Sequence, residues 1–129
     1  MSRLNQLPNP LLLLTGGFLL GMLSWVVPLV VSGKFEPYDS TSGLLANQLV
    51  LSGPTAALAL RYRARAFLIC LLAAYVGMNA YTYAFGGSEQ RAWALLGAFA
   101  SAFLTLLPGL IGAVAATIRR LRVRSISHR

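Results

Sequence analysis

Four polar side chains in the apolar run Ala66–Gly86, namely Tyr75, Asn79, Thr82 and Tyr83, fall at i, i+4, i+7 and i+8, a spacing that puts them on one helix face. A second polar step, Asn47-Gln48, interrupts the preceding run Leu44–Leu60. Amides and phenols donate and accept hydrogen bonds without carrying charge at neutral pH, so they suit recognition of a neutral group rather than proton transfer or metal ligation. If the two runs are antiparallel helices, Asn79 lies roughly 20 Å along its helix from Arg65, and Asn47 and Gln48 lie in the first turns of theirs. Asn47, Gln48, Tyr75, Asn79 and Tyr83 then reach one depth and make an uncharged polar pocket that opens outward between helices two and three. The same residues also fit a structural role, as interhelical hydrogen bonds of about 0.6 kcal/mol each. In that role Tyr38, Tyr81, Tyr83 and Trp93 belong to an interfacial aromatic belt. The residues alone leave both roles open.

What the chain lacks narrows its chemistry. None of the four apolar runs, Leu11–Ser32, Leu44–Leu60, Ala66–Gly86 and Ala92–Ile118, holds Asp, Glu, Lys, Arg or His. Ionisable residues inside the bilayer are the usual mark of proton relays and ion coupling, so a proton-coupled antiporter is not expected. The single histidine, His128, sits in the tail, and with one cysteine there is no sequence cluster for a metal. There is no serine–base pair, nucleophile elbow or phosphate-binding glycine loop, so neither catalysis nor a cofactor is expected. Cys70 lies mid-run and reads as a packed apolar thiol.

The elements that must position these residues follow from composition. With 57% hydrophobic and only 11% charged residues, the 129-residue chain has too little charge to coat a soluble surface. About 20 apolar residues cross the hydrocarbon, so the first, third and fourth runs span comfortably and the second, with 17 residues, is near the short limit. No run alternates with period two, which excludes strands. The expected fold is all-α: one transmembrane domain over 1–129, a compact bundle of four helices at about 11–32, 44–60, 66–86 and 92–118, followed by a basic tail 119–129. Pro54 predicts a kink in helix two, and Ser40 or Ser42 and Ser88 are candidate caps for helices two and four.

Arginine placement sets the expected orientation. Arg3, the Arg61, Arg63 and Arg65 group, and the tail arginines all fall on one side of a four-span arrangement, which makes both termini cytoplasmic in an inner membrane of bacterial type. The opposite connections hold all three acids, Glu36, Asp39 and Glu89. Pro28 before Val30-Val31-Ser32 has the look of a cleavage site, but a run of 22 residues exceeds an ordinary signal core and predicts a retained helix. Arg119, Arg120, Arg122 and Arg124 are expected to contact anionic lipid, each at about 1 kcal/mol, rather than nucleic acid.

Small residues mark where helices can approach closely: Gly17 and Gly21, Ala73 and Gly77, Gly97 and Ser101, Gly109 and Ala113. The spacing does not say whether the contact is within the chain or with a partner. Two functions stay open. One is a non-catalytic protein acting through helix contacts, as an accessory subunit of a membrane assembly or an immunity-type protein. The other is a small homo-oligomeric transporter or channel using the uncharged pocket. The expected partners are membrane lipids and another integral membrane protein or a second copy.

Overall fold

The computed structural model describes residues 7–127, so Arg3, His128 and Arg129 lie outside the described residues. Its elements are α1 (Pro10–Ser32), α2 (Thr41–Arg61), α3 (Ala64–Phe85), the short α4 (Ser88–Ala92) and α5 (Ala94–Ser127), with a 3-10 turn at Pro37–Asp39. There is no strand among the described residues, and α1, α2, α3 and α5 are each long and apolar enough to cross a membrane. The protein is an all-α bundle of four such helices.

Local chemistry places the helix ends. The Asn9 side chain accepts the Leu11 N–H at 3.0 Å with Pro10 at the first helical position, and α1 stops at Gly33, whose φ of 70° favours a residue without Cβ. Of the two candidate serines, Ser40 is the cap of α2, accepting the Gly43 N–H at 3.0 Å, and Ser42 lies inside the helix. Ser88 does not cap. It opens α4 itself, while the Gly87 N–H donates to Gln90 Oε1 at 2.9 Å. Pro54 lies on an exposed face of α2, which continues as one helix to Arg61.

The expected tail is helical. The apolar run ends at Ile118, yet α5 continues through the arginines to Ser127, because loss of hydropathy marks the end of a span and arginine is a good helix former. At 1.5 Å per residue its 34 residues reach roughly 51 Å, well beyond the hydrocarbon thickness.

Each of α1 and α5 packs on both α2 and α3, and the two occupy opposite corners of the bundle. Trp25, Leu51, Met78, Asn47 and Thr55 are fully buried and fill its centre. Arg61, Arg63 and Arg65 and the arginines of α5 gather at one end, called here the basic end. Glu36, Asp39 and Glu89 lie at the other, the acidic end.

Candidate functional site

Asn47 and Gln48 do not face an open pocket. Asn47 is fully buried and its Nδ2 donates to the Ser24 carbonyl of α1 at 2.7 Å. Gln48 Nε2 donates to the Leu104 carbonyl of α5 at 3.0 Å, and to Asn47 Oδ1 at 3.0 Å. Both acceptors have a special status. Ser24 lies four residues before Pro28, and Leu104 four before Pro108. A proline has no N–H, so each ring deprives the carbonyl four residues earlier of its helical partner. In hydrocarbon an unsatisfied backbone group costs several kcal/mol. The two adjacent amides of α2 therefore satisfy the two carbonyls that the prolines release, and bolt α2 to both neighbours.

Tyr75, Asn79 and Tyr83 lie elsewhere, on the side of α3 that faces α5. Together with Val76, Ala80 and Ala98 they line a half-open cleft of about 540 Å³. Asn79 Nδ2 is turned onto its own helix, donating to the Tyr75 carbonyl at 2.8 Å. The Tyr75 hydroxyl reaches across and donates to the Ala98 carbonyl of α5 at 3.2 Å. The five side chains expected in one pocket thus divide between a buried bolt and a cleft. The cleft opens between α3 and α5, not between α2 and α3. The expectation failed because connection length says that two helices are antiparallel, not which pair is open.

A second cavity of about 520 Å³ adjoins the first through shared walls at Thr82, Gln90 and Gly97. It is lined by Glu36, Asp39 and Glu89, with the rings of Phe35, Tyr38 and Trp93. Sequence reasoning missed this site, although its signal was present in the collection of every acid of the chain into two connections on one side. Behind the rings stands an aromatic stack: Phe35 lies 5.5 Å from fully buried Trp25 and 5.9 Å from Tyr81, and Tyr38 lies 6.3 Å from Trp25. Burial, and then the neighbouring Asp39 charge, push the Glu36 carboxyl above its usual range, partly offset by a hydrogen bond with Tyr38. The Tyr38 hydroxyl is pushed up to about 12 by burial and by Glu36. Arg91, the nearest arginine in the chain, does not neutralise the acids. Its Nε donates to the Tyr83 carbonyl at 2.9 Å, and its guanidinium stands 5.7 Å over the Tyr83 ring, where it caps the end of α3.

The small-residue faces are used unequally. A Cβ on Gly17 would strike the Cys70 carbonyl, one on Gly21 the backbone of Ala74, and one on Gly77 the backbone of Phe18. With Ala73 also buried, this face of α1 and α3 is consumed by contact within the chain. Ser101 is buried too. By contrast a Cβ on Gly97 would meet open space, one on Gly109 would make only ordinary contact with Leu71, and Ala113 is exposed. Arg120, Arg122 and Arg124 are exposed on the last turns of α5, with Arg119 half-buried beside them. The chain matches no protein family, no curated protein and no solved structure.

Proposed function

We propose that this chain is a non-catalytic inner-membrane protein that acts by holding another integral membrane protein, as an accessory subunit of a membrane assembly or an immunity-type protein. The observation that carries this reading is the asymmetry of its close-approach surfaces. Gly17, Gly21 and Gly77 are spent inside the bundle, whereas the cleft beside Gly97 has no occupant within the chain and has room for one. A helix can approach closely where glycine leaves the backbone bare. The basic end is cytoplasmic in this reading, with the α5 arginines against anionic lipid and the cleft opening toward the opposite face.

A second reading, a small homo-oligomeric transporter or channel, draws on the uncharged cleft wall of Tyr75, Asn79 and Tyr83. The filled centre then requires any path to run between copies rather than through one chain. Mass determination of the protein extracted from its native membrane in mild detergent separates the two. A stoichiometric second chain, lost on Gly97→Trp, is the expected result; a homodimer indifferent to that substitution favours transport. Cysteines placed at Ser88 and Ser127 test orientation, since only the first is expected to react with an impermeant reagent from outside.

A further inference from the structure

The geometry points to one occupant for the two adjoining cavities: a partner's membrane helix ending in lysine or arginine, its cationic side chain among the carboxylates and its last apolar turns in the cleft. The inference rests on the partner-binding reading above and supplies the partner's chemistry.

Charge is the first reason. Glu36, Asp39 and Glu89 face one cavity, and among the described residues no ion pair involves any of them. Lys34, on the same connection as Glu36 and Asp39, is exposed and lines neither cavity, so like charges face one another there, and a cation brought between them relieves that repulsion. Arg91 is held on the carbonyls of α3 instead. The second reason is the kind of cation that fits. Among the described residues no three acidic, histidine or cysteine side chains gather closely enough to hold a metal ion. The carboxylates are instead spread around about 520 Å³ that Phe35, Tyr38 and Trp93 also line. Aromatic faces attract ammonium and guanidinium groups, and a cavity of that size takes the end of a lysine or arginine side chain.

The third reason is continuity with an apolar seam. From Tyr83 to Tyr75 the cleft follows α3 for eight residues, roughly 12 Å, or about two turns of a facing helix. Its walls include Val76, Ala80 and Ala98, and on α5 the bare backbone of Gly97. A charged head beside an apolar stem is the pattern of a lysine- or arginine-terminated membrane helix. With the basic end cytoplasmic, such a helix carries its charge on the side that membrane helices usually leave poor in lysine and arginine. The carboxylates then select it from the ordinary population of helices.

The test uses the full chain in nanodiscs of zwitterionic phosphatidylcholine, labelled at an introduced Ser42→Cys, and a synthetic leucine–alanine membrane peptide with two lysines at one end and an acceptor dye. Saturable energy transfer is expected, at least tenfold weaker when glutamines replace the peptide lysines. Glu36→Gln with Glu89→Gln should bring the lysine peptide down to the glutamine peptide's level. Should that double variant not fold, Glu89→Gln alone, on exposed α4, must still weaken the lysine peptide selectively. Equal binding of the two peptides overturns the proposal. If Gly97→Trp then abolishes both, the cleft still holds a partner helix and only the cationic assignment has fallen. If Gly97→Trp affects neither, the partner-binding reading falls with it. Inhibition by lysine methyl ester at the peptide's own affinity would show a free cation as occupant and would likewise overturn the proposal.

Discussion

Along α1 and α3, backbone meets backbone, with Gly17, Gly21 and Gly77 set against Cys70, Ala74 and Phe18 and no room for a Cβ. Along the acidic-end half of α3 and α5 the helices stand apart, bridged by one tyrosine hydroxyl, with open space beside Gly97. Both seams carry small residues at membrane-helix spacing, so composition does not separate them. Satisfaction does. The closed seam has used its glycines, and the amide bolt beside it has answered the carbonyls released by Pro28 and Pro108. The open seam keeps an unused glycine, and the carboxylates at its end form no ion pair among the described residues. In a membrane, where lipid is as apolar as leucine, unused packing surface and uncompensated charge are more informative than exposed hydrophobic area.

The largest effect is expected when the same side chain is put into both seams. Gly21→Leu forces α1 off Ala74, and overpacking of this kind costs about 1–3 kcal/mol or more, so folded protein is expected to be lost from gel filtration. Gly97→Leu enters open space, and its thermal unfolding should stay within about 0.5 kcal/mol of the parent. Equal damage from the two would erase the distinction between the seams.

An intermediate effect is expected at the bolt. Asn47→Leu leaves the Ser24 carbonyl without a donor, at a cost of about 1–3 kcal/mol. Pro28→Ala in the same background returns an N–H to that carbonyl and should recover most of the loss. A double-mutant cycle reads the coupling directly, and strict additivity would mean that the proline and the amide are independent.

The smallest effect belongs to the open end. Burial and Asp39 raise the Glu36 carboxyl above its unfolded value, with Glu89 adding to the rise and only the Tyr38 hydroxyl opposing it. The folded state therefore holds its proton to higher pH than the unfolded state does. Stability from this group is present at acid pH and falls as pH rises through the raised value. Glu36→Gln should thus raise the melting temperature slightly at neutral pH, with the difference vanishing under acid conditions. A variant that melts lower at neutral pH would mean that the ionised carboxylate is already compensated.

The fold was largely legible because spanning a membrane imposes length and composition on every helix, and the runs beginning at Leu11 and Ala66 lie within two residues of α1 and α3 at each end. The site was legible only in parts. Tyr75, Asn79 and Tyr83 do share a face, as helical periodicity requires, but periodicity does not say which neighbour that face meets. The pairing of Asn47 and Gln48 with Pro28 and Pro108 joins residues up to 60 positions apart, and it is visible only when each proline is read as a released acceptor in need of a donor. Ser88 opens α4 instead of capping it, a difference the sequence does not carry because a serine before a helix and a serine opening one have the same local sequence.

The length of α5 has a mechanical side. Residues 94–118 alone cover roughly 37 Å, more than the roughly 30 Å of hydrocarbon, and the arginine-rich turns continue rigidly beyond them. Sliding the helix by one turn toward its own N-terminus, about 5.4 Å, draws Arg119 and Arg120 toward hydrocarbon, which resists a central arginine by about 2.5–3.5 kcal/mol. Sliding it the other way lifts Trp93 off the interface that indole rings prefer. The helix therefore works as a gauge rod fixed at both stops. It ties the height of the mouth formed by Glu36, Asp39 and Glu89 to the positions of Arg119 and Trp93 at its two ends.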